Sequence, residues 1–519
     1  MAKVQVGVTH QTIVVLDFGS QYTQLIARRL RELSVLTEIL PFDITTKELR
    51  DREPAGIILS GGPRSMSHPE APHCDAHIFA LKIPILGICY GMQEMTSALG
   101  GTVQAAPNRE YGQATVTRSD DSALLSAVPK ETTVWASHGD LIAAAPPGFT
   151  VTAVSTNAPV AAMEHRERRL YALLFHPEVA HTEHGLDILR AFVFDVCGCV
   201  GDWTMTSFVD ETVSSIKQRV KQGRVLCGLS GGVDSTVAAL LIHRAIGDRL
   251  TCVFVDNGLL RLNEAAQVED RFTNRLKLPL VCVDAADLFL ERLDGITDPE
   301  QKRKIIGATF IEVFEARARE IGDFNFLAQG TLYPDVIESV SVIGPSVPIK
   351  SHHNVGGLPD SMRFELVEPL RQLFKDEVRQ VGLEMGVDEE FIWRQPFPGP
   401  GLAVRVLGAV TPERLELVRK ADAIVVEEIK RHGWYKRVWQ AFAVLLPVQS
   451  VGVMGDERTY ESTVVVRAVH SRDGMTADWV PLPHELLGTI SSRIVNEVKG
   501  VNRVVYDITS KPPSTIEWE

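Results

Sequence analysis

Cysteine is scarce in this chain: seven in 519 residues, and an odd number. That excludes a disulfide-stapled secreted scaffold and points to a reducing, cytoplasmic setting. Cys227, Cys252 and Cys282 fall inside apolar strand-like runs, where buried, reduced thiols are expected. Long hydrophobic runs are missing as well. The best candidates are broken by His243 within Val237–Ile246 and by Pro447 after Leu446. A membrane helix needs about 18 or more apolar residues, so none is expected. Met1–His10 has neither a basic nor an apolar leader region, so no signal peptide is expected. Positive charge is also in deficit, with 53 Lys and Arg against 66 Asp and Glu and a net charge of −13. A balance that acidic argues against nucleic-acid or membrane-surface partners, although a local cluster of donors can still hold a small anion. Internal repeats and low-complexity tracts are absent too.

What remains is ordinary globular composition, 45% hydrophobic and 23% charged. At about 150 residues per domain the length predicts three or four domains. Thr12–Leu16, Ala55–Leu59 and Ile83–Ile88 read as buried strands, and Gln21–Leu33 reads as an amphipathic helix. Strands alternating with helices imply an α/β domain with a mostly parallel sheet. From Val103 shorter strands with polar turns suggest an antiparallel extension. A second doubly wound α/β pattern starts near Asp202, with strands at Arg224–Leu229, Leu250–Val255 and Leu280–Val283. The breaker cluster Phe397-Pro398-Gly399-Pro400-Gly401 marks another boundary. Beyond it Thr411 reads as the N-cap of a helix ending at Gly433, and Thr463–Val469 and Val501–Ile508 read as strands. The expected architecture is therefore two doubly wound α/β domains, 1–202 and 203–396, followed by a small α+β domain, 397–519.

Two constellations carry chemistry. In the first, a strand runs into Gly87-Ile88-Cys89-Tyr90-Gly91-Met92-Gln93 and then a helix, a G-x-nucleophile-x-G elbow with Cys in the reactive slot. The helix N-terminus there favours a thiolate. A structural Cys at a strand end reads the same way, so a base is required. His176-Pro177-Glu178 follows the apolar run Leu170–Phe175 and can supply base and orienter. The alternatives are a plain surface loop, or a zinc site with His181 and His184, for which no clear fourth ligand exists. Ser60-Gly61-Gly62-Pro63 ends another strand. Its amides, with that of Tyr90, could form an oxyanion hole or simply a turn.

These three motifs resemble the triad-type glutamine amidotransferase family. The resemblance implies Cys89 as nucleophile on the glutamine side-chain amide, His176 as acid–base and Glu178 as orienter. It makes Gln93 and Ser137-His138-Gly139-Asp140 candidates for glutamine contact.

In the second constellation, strand Arg224–Leu229 leads into Ser230-Gly231-Gly232-Val233-Asp234-Ser235 and a helix. Exposed amides, serine hydroxyls and a helix N-terminus suit an anion, and Asp234 could hold Mg²⁺ against phosphates. The loop is not G-x-x-x-x-G-K-[ST], so a γ-phosphate-transferring P-loop is unsupported. The hexapeptide resembles the ATP pyrophosphatase signature, which implies that the loop holds a leaving pyrophosphate. The resemblance also places Asp256 in Val255-Asp256-Asn257-Gly258 beside adenosine and makes Lys375 a phosphate neutraliser. Between these motifs lie Gln329–Asp335 and Lys350-Ser351-His352-His353-Asn354-Val355-Gly356-Gly357, of which the second, polar and Gly-ended, could form a lid over a nucleotide or a plain surface loop.

A glutaminase joined to an adenylating unit implies a synthetase. The tail Ser510–Glu519, with two prolines and a terminal Trp, could bind phosphate through Lys511, Ser514 and Thr515, or could plug an interface. Asp17-Phe18-Gly19-Ser20-Gln21, Arg303-Lys304-Ile305-Ile306-Gly307, the Phe397–Leu402 cluster, Gly452–Asp456 and that tail resemble the glutamine-hydrolysing GMP synthase family. The resemblance implies xanthosine monophosphate (XMP) as acceptor, ATP with Mg²⁺, no tightly bound organic cofactor, and a homodimer through the last domain. It implies that Arg303, Lys511, Ile516 and Glu517 hold XMP. Rival readings are another glutamine-dependent ATP pyrophosphatase, such as an NAD synthetase or tRNA-thiolating enzyme, and a binding protein with a decayed site.

Overall fold

The computed structural model describes residues 10–119, 122–340, 364–454, 457–471 and 476–519. The proposed lid segment 350–357 lies outside them, as do Gly455 and Asp456. The chain forms two compact units. One runs to Glu211 and takes back a segment starting at Tyr333; the other joins Thr212–Leu332 to the chain from 364 to Glu519.

The first unit is built on a nine-stranded sheet. Its parallel half consists of β1 (Thr12–Asp17), β2 (Leu36–Pro41), β3 (Gly56–Leu59), β4 (Ile85–Ile88) and β9 (Leu170–Leu173), in the order β2-β1-β3-β4-β9. Strands β5 (Thr102–Arg118), β6 (Glu131–Ala144), β7 (Thr150–Ser155) and β8 (Ala162–His165) extend it antiparallel as β8-β7-β5-β6. Every residue of β3 and β4 is buried, as expected for parallel strands covered on both faces. Alternation along β1 sends Ile13 and Val15 into one apolar cluster and Val14 and Leu16 into the other. Helix α1 (Thr23–Glu32) buries Ile26 and Leu30 in the first of these.

The second unit carries a five-stranded parallel sheet: β10 (Val225–Leu229), β11 (Leu250–Asp256), β12 (Leu280–Asp284), β13 (Phe326–Ala328) and β14 (Glu365–Val367). Its order β12-β11-β10-β13-β14 reverses direction at β10. Open α/β sheets bind ligands at such a switch point, outside the carboxyl ends of the strands. Cys227 and Cys252 are buried and paired in register across β10 and β11. Cys282 is exposed, which corrects the expectation of a buried thiol. Strand β12 is an edge strand, so Val281 and Val283 pack inward while the residue between them faces out.

The remaining part of this unit is α+β. Strands β15 (Gln440–Met454) and β16 (Glu457–His470) form a long antiparallel pair. To β16 are added the short β17 (Asp478–Trp479), antiparallel, and β18 (Val501–Tyr506), parallel. The helix Pro412–Arg431 is capped by Thr411 and opened by Pro412, and it buries Leu415, Val418, Ile424, Val425 and Ile429. One apolar core runs from Leu226 and Val253 through Leu402 and Val406 to Val464 and Val501. The breaker cluster sits inside it. A Cβ at Gly401 (φ 62°) would lie 2.4 Å from the Leu259 carbonyl oxygen, so only glycine allows that approach. Among the described residues no helix is long and apolar enough to cross a membrane.

Candidate active site

Three strand ends of the first sheet converge. After β4, Cys89 takes φ 52° and ψ −104°, then helix α2 (Tyr90–Ala98) begins. A side-chain-bearing residue in that region stores about 1–3 kcal/mol of strain, which the surroundings must hold in place. They hold it by contact. A Cβ at Gly87 would meet the Gly91 carbonyl oxygen at 2.6 Å, and one at Gly91 would meet the Leu59 carbonyl oxygen at 2.3 Å. The two glycines of the motif are therefore required by backbone approach.

After β9, His176 is 3% exposed and Glu178 is fully buried. The imidazole Nδ1 lies 2.7 Å from Glu178 Oε1, and the ring also hydrogen-bonds Cys89. Burial opposes a charged imidazole. The Glu178 carboxylate and the bonds to Cys89 and Glu178 outweigh it and push His176 up to about 11. The sulfur is 3.5 Å from the Ser137 carbonyl oxygen on β6.

After β3, the Gly61 position packs against the His176 ring, and a Cβ there would stand 3.2 Å from its Cε1. Gly62 abuts the Tyr90 side chain, with 3.0 Å from its Cβ position to Cγ. The Ser60 carbonyl accepts the Gly91 amide at 3.0 Å, and the Cys89 carbonyl accepts those of Met92 and Gln93 at 3.1 and 3.2 Å. Among the described residues this leaves the Tyr90 N–H as the first-turn donor without a chain acceptor.

Of the residues suggested for glutamine contact, Ser137 comes to the sulfur through its carbonyl and Gln93 is buried on α2. His138 is also buried, with Nε2 3.2 Å from Glu110; burial lowers its pKa, with Glu110 opposing. Asp140 accepts from Ser65 Oγ (2.6 Å) and the Met66 amide (3.1 Å), tying β6 to the Gly-Gly turn. The motifs missed several supports. Tyr22 meets the His176 ring edge-on at 5.0 Å. Thr182 Oγ1 donates to the His176 carbonyl (2.5 Å), and Arg29 Nε donates to the Glu178 carbonyl (3.0 Å). No motif signal marks these: Tyr22 and Arg29 reach the site from the first helix and the residue before it, and Thr182 from a turn six positions beyond His176. Among the described residues His176, His181 and His184 form no metal cluster; His181 stacks on Trp135.

The second loop lies at the switch point of the second sheet. Gly231 has φ 71°, and the Ser230 and Ser235 hydroxyls are 3.2 Å apart. The helix Val233–Ile246 opens there, its N-terminus aimed at the loop. Lys375 Nζ lies 2.5 Å from both carboxylate oxygens of Asp234. Gly330, after β13, approaches Asp234 closely enough that a Cβ would stand 3.3 Å from its backbone carbon. Asp256 turns inward at the end of β11 and accepts the Gly258 amide at 2.9 Å. The structure thus brings Ser230–Ser235, Gly330 and Lys375 together.

The tail is pinned by buried cations. Arg467, fully buried, donates to the carbonyls of Thr509 (3.0 Å), Thr515 (2.9 Å) and Ile516 (2.9 Å) and to Asp507 (2.6 Å). Arg405, also fully buried, grips both Glu517 oxygens at 3.1 and 3.0 Å. Arg303 donates to the Glu519 backbone oxygen (2.6 Å), and buried Lys302 pairs with the Glu519 side chain. Lys511 pairs by backbone with Ala477. Arg303 and Glu517 are therefore engaged within the chain, and the gripping residues Lys302, Arg405 and Arg467 were not singled out from sequence. A signal existed: an Arg inside Thr463–Val469 and one inside Leu402–Leu407 interrupt apolar runs.

Three family profiles match successive stretches of the chain. Glutamine amidotransferase class-I matches residues 14–196, NAD synthase matches 204–320, and the GMP synthase C terminal domain matches 427–518. A GMP synthase (glutamine-hydrolyzing) of Caldanaerobacter subterraneus is 57% identical over 513 residues, covering 99% of this chain and 100% of that one. The chain belongs to the glutamine-hydrolyzing GMP synthase family. GMP synthases of Carboxydothermus hydrogenoformans and of a Nitratiruptor species are 58% and 59% identical, each over 98% of this chain and 99% of theirs. For a GMP synthase, the elbow and the switch-point loop fall within the amidotransferase and NAD synthase matches respectively.

Proposed function

We infer that the chain aminates XMP to GMP, using ATP and ammonia from glutamine. Its work divides among residues 1–202, 203–396 and 397–519. In the first part Cys89 attacks the carboxamide carbon of glutamine as the thiolate, its proton already resting on the His176 imidazolium. The amides of Gly62 and Tyr90 receive the developing oxyanion. His176 returns a proton to the leaving ammonia, and water then releases glutamate from the thioester, with Glu178 holding the ring in place throughout.

In the second part the loop Ser230–Ser235 and Lys375 hold the ATP phosphates, and Asp256 lies on the adenosine side. The O2 of XMP attacks the α-phosphorus and pyrophosphate leaves. Ammonia then attacks C2 of the adenylated base, and AMP departs with that oxygen. Asp234 would hold Mg²⁺, which supplies neutralising charge to the phosphates. The fit is to a single carboxylate. Among the described residues no three His, Cys, Asp or Glu side chains form a cage, and Mg²⁺ needs only one or two carboxylates with phosphate oxygens and water. Lys511, Ile516, Glu517 and Arg303 define the XMP end, with the tail set by Arg405 and Arg467.

We place the enzyme in a reducing cytoplasm, which its seven free cysteines support. Pairing of two copies through 397–519 is supported by an exposed apolar stripe. Val451 faces Tyr460 across β15 and β16, and both, with Val453, are exposed.

The observation that carries the reading is full-length similarity to GMP synthases in a chain whose Cys89, His176 and Glu178 converge on one sheet edge. The deciding experiment gives the purified chain XMP, ATP and Mg²⁺ with glutamine or ammonium. GMP is expected from both donors, and none from either would overturn the reading.

A further inference from the structure

A cavity of about 480 Å³ opens between the chain at 389–396 and the chain at 435–439 and 470–471. That volume falls in the roughly 300–1,000 Å³ range of small-molecule sites. None of its lining residues belongs to the phosphate loop or to the tail.

The lining is cationic and aromatic at once. Arg379, Arg394, Lys436 and Arg437 face it, against a single carboxylate, Glu389. Lys436 pairs with that carboxylate at 2.7 Å, and Arg394 pairs with Glu264. Among the described residues neither Arg379 nor Arg437 has a carboxylate within 4.0 Å, although Asp234 and Asp376 act on Arg379 from further off, and both guanidinium groups are stacked. The Arg379 guanidinium lies 4.9 Å from the Trp393 ring centre and that of Arg437 3.9 Å from Trp434. Stacking fixes a guanidinium plane and leaves its N–H edges free for an anion. The Nε of Arg379 is buried with no acceptor among the described residues. Trp393 is 44% exposed, and Trp439 and Tyr435 complete the aromatic wall.

We propose that this cavity is a second nucleotide site, taking a purine nucleoside phosphate whose base packs on Trp393 and Trp439 and whose phosphate is met by Arg379 and Arg437. The inference does not depend on the assigned reaction. It has a route to the chemistry all the same. Arg394 lines the cavity and also donates to the Gly231 carbonyl of the phosphate loop at 3.4 Å. A ligand that draws Arg394 toward the cavity loosens that contact, so occupancy and ATP use are coupled, and reciprocally so.

The test uses the full chain with one equivalent each of XMP and a non-hydrolysable ATP analogue, so that the substrate sites are filled and no excess of either competes for the cavity. Labelled GMP, and in a parallel arm labelled AMP, is titrated by equilibrium dialysis while tryptophan fluorescence is followed. Saturable binding of one nucleotide per chain, with quenching, is expected for at least one of the two. Arg379→Ala and Arg437→Ala should each weaken it about tenfold, the loss of one charge-assisted contact. Arg437 is a surface residue, so its variant keeps the fold, and its ammonium-driven synthesis from XMP and ATP, with no GMP or AMP added, should match the parent. Absence of saturable binding in both arms overturns the proposal, and so does binding that neither substitution weakens. Competition by inorganic phosphate alone, with no fluorescence change, would show a bare anion site and overturn the nucleotide assignment.

Discussion

The ammonium of Lys375 sits 2.5 Å from both carboxylate oxygens of Asp234, although 141 positions separate them in the chain. The pair holds a cation at the mouth of a loop whose own donors are amides and hydroxyls. Lys375→Ala should cut GMP formation with glutamine and with ammonium alike, by about 10²–10³-fold, the usual cost of one preorganised charge-stabilising donor. Thioester chemistry at Cys89 should still be present in the variant, detectable by trapping with a glutamine-directed electrophile. Unchanged synthesis would remove Lys375 from the phosphate site.

Cys89→Ala separates the two chemistries. Glutamine-driven synthesis should vanish and ammonium-driven synthesis persist near the parent level, because the sulfur lies on the first sheet and the loop at 230–235 on the second. Steady-state assays with each donor decide it. Loss of both activities in a folded variant would contradict two separate sites.

The His176–Glu178 pair carries a pH signature. Against burial, Glu178 and Cys89 push the His176 pKa up to about 11 from its ordinary 6.5. A raised pKa of this kind contributes stability that is fully present below about 6.5 and is lost as pH rises through about 11. Glu178→Gln removes the carboxylate charge that holds the imidazolium and leaves only the Cys89 contact against burial, so the pKa falls. The variant should be destabilised near neutrality, and the gap to the parent should close as pH approaches 11. Urea melts across that range measure it, and a gap constant with pH would refute the coupling. Glutaminase activity should fall about 10²–10⁴-fold, the range for a positioned acid–base.

Much of this was legible in sequence, for reasons visible in particular residues. Gly87 and Gly91 bracket Cys89 because backbone approaches of 2.6 and 2.3 Å admit no Cβ, and such constraints leave glycine at fixed spacing. Thr411 and Pro412 announce a helix because capping is local. Cys282 misled because an apolar run does not say whether its strand is central or at an edge; only the sheet order decides that. The supports of the site come from long-range pairings. Tyr22 reaches His176, and Arg405 reaches Glu517 across 112 positions, with no period or motif to mark them. The buried cations left two traces, Arg467 and Arg405, each interrupting an apolar run.

The exposed pair Val451 and Tyr460 predicts assembly. Val451→Lys combined with Tyr460→Lys places two charges on the stripe of the third sheet, on neighbouring strands in register. Sedimentation should show the parent as a dimer and the variant as a monomer with its fold retained. A parent that sediments as a monomer would dismiss this face as a subunit interface.

The tail offers the sharpest separation of position from contact. Arg467 and Arg405 are fully buried, so neither can reach a ligand except through what it holds. Arg467 spends its donors on tail carbonyls and Asp507, whereas Arg405 grips the Glu517 carboxylate. Removing one partner of a buried ion pair costs about 3–5 kcal/mol because the other charge is left unpaired. Arg405→Met should therefore lower thermal stability and also let Glu517 leave its place. Pairing it with Glu517→Gln tests the two effects separately, since the double variant leaves no orphan charge at Glu517, and Asp422, the other carboxylate on Arg405, keeps Arg261 at 3.4 Å. If Glu517 acts on XMP, the double variant should regain stability while KM for XMP stays raised and KM for ATP stays near the parent. If the tail is only a plug, stability and KM for XMP should recover together.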